Sequence, residues 1–187
     1  MNSPMPRVQL SFTDLGNSER FVARHSHCLR YCYPWRKWLF FNGRHWAIDD
    51  TGEVERRAAE TARWLIEEAR QLAARAQEEI GPERERLLDV AEATFSWSRK
   101  SESAQRMRAM IELSRSRPGI PVKPDQLDVD PWILNVLNGT LDLSNGELRR
   151  HDSDDLITKV CPVEFQHDAK YMAWDEFLDR ILPDPDV

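Results

Sequence analysis

Apolar residues recur at three- and four-residue steps through much of the chain, and that rhythm predicts helices. The longest run is DDTGEVERRAAETARWLIEEARQLAARAQEEI. In it Val54, Ala58, Ala62, Leu65, Ala69, Leu72, Ala76 and Ile80 form one stripe, which predicts an amphipathic helix from near Glu53. Gly81-Pro82 ends it. A second helix over roughly 83–97 turns Leu87, Leu88, Ala91 and Phe95 inward. Ser101 is the expected cap of a third, with Met107, Met110, Ile111 and Leu113 inside and Pro118-Gly119 beyond its end. Upstream, Thr13 or Asp14 suits the cap of a short helix, DLGNSERFVARHS, that packs Leu15, Phe21 and Val22. AKYMAWDEFLDRIL is again amphipathic and stops at Pro183-Asp184-Pro185. Residues 1–12 read as a flexible leader.

Two stretches break this rhythm. LRYCYPWRKWLFFNGRHWAID places Asn42-Gly43 between apolar runs. That is a strong hairpin signal, because a two-residue type I′ turn needs positive φ at both central positions. The expected strands are 38–41 and 44–48, with 31–33 as a third. WILNVLNGTLDLSNGELRRH reads as strand 133–137, a turn at Asn138-Gly139, strand 140–143, a turn at Asn145-Gly146 and strand 147–150. A phosphate-cradling loop would need glycines leading into a helix with a Lys-Ser/Thr pair, and no glycine of the chain is followed by lysine. The two Asn-Gly steps are therefore read as turns. GIPVKPDQLDVDPW is a Pro-rich connector. The expected fold class is α+β: a helical bundle flanked by two β-hairpins and ending in an amphipathic helix. Residues 13–165 form one domain, and 166–187 are a helix and the start of a linker.

Composition supports one folded unit. The chain has 187 residues, 41% of them hydrophobic and 31% charged, enough for a core beneath a polar surface. The longest apolar runs are far too short to span a membrane, and the first residues lack an apolar signal core. Three cysteines do not make a disulfide framework and suit a reducing cytosol.

Charge changes the picture more. The net charge is −6, but it is unevenly spread. Residues 20–46 hold six basic residues (Arg20, Arg24, Arg30, Arg36, Lys37, Arg44) and no acid, and residues 99–123 hold seven basic residues against Glu102 and Glu112. From Pro124 onward fifteen acids face five basic residues. A basic first part and an acidic end suggest a polyanionic partner on one face. The same 20–46 stretch contains eight aromatic residues: Phe21, Tyr31, Tyr33, Trp35, Trp38, Phe40, Phe41 and Trp46. Rings that stack bases and cations that neutralise phosphates are the usual equipment for single-stranded nucleic acid. The competing explanation is a hydrophobic core rimmed by charge. Alternation puts Trp38 and Phe40 on one sheet face and Leu39 and Phe41 on the other, so about half of these rings are expected in a core.

Other candidate chemistry is thinner. His25, His27, Cys28, Cys32 and His45 are zinc-ligand types, but a lone Cys-x-x-x-Cys lacks the second pair of the familiar sites, and no metal is expected. Asp128 and Asp130 could pair on a metal for nucleotidyl transfer. They lie between Pro124 and Pro131, in what reads as a loop. Walker A, Gly-x-Ser-x-Gly and His-Glu-x-x-His motifs are all absent, so these residues are expected to carry no catalysis and no cofactor.

Two motifs stand out. One is Trp-x-x-Trp…Asn-Gly-x-x-Trp at Trp35, Trp38, Asn42, Gly43 and Trp46. The other is Asn-x-x-Asn-Gly-x-x-Asp-Leu at Asn135, Asn138, Gly139, Asp142 and Leu143. With their surroundings, from about Asp14 to Leu182, they resemble the accessory domain of phage and plasmid primase–helicases. That domain is shared with the poxvirus primase–helicase and precedes a superfamily 3 helicase domain. The resemblance implies a replication protein of a bacterial host's cytoplasm. Its helicase domain would bind ATP and Mg, assemble as a hexameric ring, and begin about where this chain ends. It implies as partners single-stranded or forked DNA, the adjacent primase and helicase domains and possible ring self-association, with no membrane role. On this reading Arg36, Lys37 and Arg44 contact phosphates and Trp35 is the exposed ring. The alternative role is oligomerisation or primase–helicase docking without DNA contact.

Overall fold

A computed structural model of the chain describes residues 11–169 and 172–181. Five α-helices and two small sheets make up the expected α+β architecture. Helix α1, Asp14–His25, begins under a Thr13 cap whose hydroxyl accepts from the Gly16 amide at 3.1 Å. Strands β1 (Leu29–Cys32), β2 (Lys37–Phe41) and β3 (Trp46–Ile48) follow, then α2 (Glu53–Glu78), α3 (Pro82–Ser101) and α4 (Ala104–Ser114). The Pro-rich connector contains a two-residue strand, β4 (Pro121–Val122), and one turn of 3-10 helix at Pro124–Gln126. β4 pairs in parallel with β1 and completes a sheet of order β3-β2-β1-β4. Strands β5 (Ile133–Val136), β6 (Gly139–Asp142) and β7 (Glu147–Arg149) form an antiparallel second sheet, and α5 spans Met172–Ile181. The expected stop at Pro183-Asp184-Pro185 and the first ten residues of the leader lie outside the described residues.

Both faces of the four-stranded sheet are covered. On one, Leu29, Tyr31 and Trp38 meet Phe21, Val54, Ala58, Met110 and Ile120 from the helical side. On the other, Cys32, Leu39 and Trp46 meet Val122 and Leu127, with Phe41 and Leu156 against them. Alternation along β2 therefore feeds two cores rather than one core and one open face.

The helices pack through small residues. Ala58, Ala62, Ala69 and Ala76 of α2 are buried, and the Ser98 hydroxyl of α3 donates to the Ala62 carbonyl at 3.0 Å. Asn17 of α1 accepts from the Trp97 indole at 2.9 Å and donates to Ser101 at 2.9 Å. Ser101 is thus an interior residue of α3. The cap of α4 is Ser103, whose hydroxyl accepts from the Arg106 amide at 3.3 Å. Leu15, Leu88, Phe95 and Leu113, all expected inside, are exposed, and Ile80 lies beyond the end of α2. In α3 Leu87 and Ala91 are buried as expected, and Thr94, Trp97 and Ser98 complete an inward face that is rotated away from Leu88 and Phe95. Phe12 is not part of a loose leader: its ring lies 6.2 Å from that of Trp97.

The turn chemistry differs in detail from expectation. The pair Phe41–Trp46 closes a four-residue loop, in which Asn42 Oδ1 accepts from the amides of Arg44 and His45 at 3.0 Å each. Only Gly43 there has positive φ, at 93°. In the second sheet Val136 pairs with Gly139, so the turn residues are Leu137 and Asn138. Gly139 is a buried strand residue. A Cβ there would come within 2.4 Å of the Arg149 carbonyl oxygen, so glycine is required by the close approach of β7.

Candidate nucleic-acid interface

Of the eight rings in 20–46, Phe21, Tyr31, Trp38 and Trp46 are buried, and Phe40 and Phe41 pack against the cores. Only Tyr33 (49% exposed) and Trp35 (42%) face solvent. The six cations divide in the same way. Arg20 is buried, and donates to the Ser11 carbonyl at 3.0 Å. Arg24 lies 4.4 Å over the Trp64 ring, and Arg30 lies 4.8 Å over Trp46 while donating to the carbonyls of Ser26 and Leu29. Burial lowers the pKa of all three guanidinium groups. Arg20 is buried, Arg24 and Arg30 are half-buried, and all three lay their guanidinium planes on rings.

Arg36, Lys37 and Arg44 are the exposed remainder, and none makes a side-chain hydrogen bond or ion pair with a described residue. Trp35, Arg36 and Lys37 sit together. The loop Tyr33-Pro34-Trp35-Arg36 joins β1 to β2, closed by the Arg36 amide donating to the Tyr33 carbonyl at 3.0 Å. Pro34 presets the second turn position. Arg36 has φ 55°, a left-handed conformation that favours glycine.

Arg44 is elsewhere. It lies in the β2–β3 loop, at the other end of a five-residue strand, about 13 Å along. Its carbonyl accepts from Asn135 Nδ2 at 2.7 Å, which fixes the loop against the second sheet. The three expected phosphate contacts are therefore two at one end of the sheet and one at the other.

Folding also brings acids to the turn that the local sequence does not contain. A depression beside Arg36 and Lys37 is lined by Asp49 and Asp50 from the connection between β3 and α2, and by Glu55 from the first turn of α2. Asp49 is occupied there. Burial would raise its pKa, but bonds from the backbone amides of Val54, Glu53, Thr51 and Gly52 outweigh this and lower it. Its carboxylate accepts from the Glu53 and Val54 amides at 2.8 Å each, satisfying first-turn donors of α2 that its N-cap residue Gly52 has no side chain to reach. On the opposite side of the turn lies Lys123, also without an ion pair among the described residues.

The other sequence candidates have structural partners. Asp128 accepts from the Thr158 amide at 2.7 Å and hydroxyl at 2.6 Å, and Asp130 accepts from the Trp132 amide at 2.9 Å. Among the described residues no three His, Cys, Asp or Glu side chains group in a way that could hold a metal. No helix among them is long and apolar enough to cross a membrane.

Comparison with protein families adds what geometry alone does not. The family model described as "D5 N terminal like" matches residues 18–183. The chain belongs to that family. This is the N-terminal domain of primase–helicase proteins, and the match covers every described element from within α1 to α5. Among curated proteins no sequence matches it. The D5 N-terminal-like domain owes its two recognisable motifs to packing as much as to exposure: Trp38, Trp46, Asn135 and Gly139 are buried, Asp142 is half-buried, and Trp35, Asn42, Gly43, Asn138 and Leu143 are exposed.

Proposed function

We propose that this domain grips single-stranded DNA at the β1–β2 turn, as a non-catalytic part of a primase–helicase. The observation that carries the reading is the turn itself. It exposes Trp35 beside two cations without ion pairs, and it holds Arg36 in a conformation that glycine would adopt with less strain. A left-handed backbone at a non-glycine residue costs about 1–2 kcal/mol, and such strain is concentrated in loops that carry function. A ring flanked by cations binds a strand by base stacking and phosphate neutralisation. ATP and Mg belong, on this reading, to a helicase domain rather than to these residues.

The grip is weak, micromolar or poorer, because the net charge of −6 opposes approach. The test is a titration of labelled single-stranded DNA at several salt concentrations. About three phosphate contacts, from Arg36, Lys37 and Lys123, give a log–log slope near −2, at roughly −0.7 per contact. Salt-independent binding, or none at low salt, refutes the grip.

A second reading, docking within a primase–helicase assembly, is favoured by α5. Its Trp174, Phe177 and Ile181 are exposed at helical spacing, no residue of the helix is buried, and Asp175, Glu176 and Asp179 hold its other side. A ten-residue helix is marginal in water without a surface to pack on.

A further inference from the structure

The β1–β2 turn is also one wall of a groove. Tyr33 and Pro34 line one side, and Pro121, Lys123, Pro124 and Asp125 line the other, around a volume of about 580 Å³. That volume lies within the range of small-ligand sites. We propose that this groove holds one base of a single-stranded nucleic acid, stacked on Tyr33, with the adjoining phosphate on Lys123. The proposal rests on the reading that the neighbouring turn grips a strand, and it names where the strand goes next.

Three observations support it. Tyr33 is half exposed yet held in place. The buried ring of Tyr31 meets it edge to face, with centroids 4.8 Å apart and planes at 89°. Tyr31 is itself held under Arg115, at 4.8 Å. A ring already positioned in this way stacks a base with little further ordering.

The walls suit a base better than an added strand. Pro121 and Pro124 have no amide hydrogen, so the β4 edge is a poor template for an extended peptide. What they offer is flat apolar surface, which accepts any base face.

Charge sets the direction. A strand leaving Arg36 and Lys37 meets Asp50 and Glu55 on one side of the turn and Lys123 on the other. Like-charge repulsion closes the first route and attraction opens the second. Asp125, exposed and with no side-chain partner among the described residues, is the acid at the groove that opposes a phosphate.

The experiment measures binding of a fluorescein-labelled oligothymidylate to the full chain by anisotropy at low salt. Tyr33→Ala is expected to weaken binding at least about fivefold, and Lys123→Glu to weaken it and flatten the salt slope by about one contact. Asp125→Asn is expected to tighten it about twofold or more, a gain that misfolding cannot produce. If Tyr33→Ala and Asp125→Asn both leave the affinity unchanged while Arg36→Glu with Lys37→Glu abolishes it, the groove proposal fails and the grip at the turn stands. If the intact chain binds no oligothymidylate, both fail. Displacement of the oligonucleotide by a proline-rich peptide that binds the groove would assign it to a protein partner and overturn the proposal.

Discussion

The side-chain amide of Asn135 donates to the backbone carbonyl of Arg44 at 2.7 Å, so a strand of the second sheet holds the tip of the β2–β3 hairpin. Asn135 Oδ1 accepts in turn from the Thr140 hydroxyl at 2.6 Å and from His151 Nδ1 at 3.2 Å. Arg44 therefore belongs to the joint between the sheets. Asn135 is 3% exposed, and truncating it strands several polar groups in the interior. Asn135→Leu is expected to cost about 2–4 kcal/mol in urea unfolding. A loss under about 0.5 kcal/mol would show that the joint carries little.

Acid should weaken the fold through His25. The Thr61 hydroxyl donates to the Arg57 carbonyl at 2.8 Å, so its oxygen accepts from His25 Nε2 at 3.0 Å. Burial, then the nearby Arg57 and Arg24, pushes the His25 pKa from 6.5 down to about 4. The unfolded chain takes up this proton near pH 6.5 and the folded chain only near pH 4. The His25 contribution is thus intact above about pH 6.5 and is lost as pH falls toward 4, by about 3 kcal/mol in all. His25→Gln should flatten that part of the stability curve. A His25 ring titrating near 6.5 by NMR would contradict the prediction.

The two tryptophans of the Trp-x-x-Trp motif should respond oppositely to truncation. Trp38 packs on Phe21 and Tyr31, with centroids at 6.3 and 5.2 Å, so Trp38→Ala is expected to destabilise the fold by about 3–5 kcal/mol. Trp35 is exposed at the turn. Trp35→Ala should leave the thermal midpoint nearly unchanged and weaken DNA binding by about 1–3 kcal/mol.

Arg36 gives a prediction of opposite signs. Its φ of 55° is a glycine conformation. Arg36→Gly relieves that strain, offset partly by the greater freedom of glycine in the unfolded chain, for a net gain of about 0.5–1 kcal/mol. The same change removes a phosphate contact. Higher thermal stability with weaker DNA binding is the expected pair of results. Unchanged binding would remove Arg36 from the grip.

Much of this architecture was legible in the sequence, in proportion to how local its cause is. The α2 stripe from Val54 to Ala76 needs only helical periodicity, and Thr13 needs only the amides just beyond it. Trp35, the ring expected on the surface, is exposed. What depends on distant partners was not readable. The acid-free stretch 20–46 gains Asp49, Asp50 and Glu55 as neighbours once α2 folds back beside β2. Arg30 is taken from the surface by Trp46, and Arg44 is held apart from Arg36 by the length of β2 and by Asn135. β4 has no local signature, because a two-residue strand that begins with a proline carries no periodicity, and its parallel pairing with β1 comes through residues about ninety positions away. Asn-Gly is a local turn signal, so the sequence marks Gly139 as a turn residue, yet it is a strand residue. Its actual reason, the Arg149 backbone against its α-carbon, lies on another strand.

The most direct test of the account is the affinity of the full chain for single-stranded DNA at low salt, measured with and without Arg36→Glu and Lys37→Glu together. Both side chains are exposed and make no ion pair among the described residues, so the reversal should leave the unfolding midpoint close to that of the parent chain. The account predicts that it abolishes measurable binding. Full affinity in the correctly folded double variant would contradict it and place any DNA contact away from the β1–β2 turn.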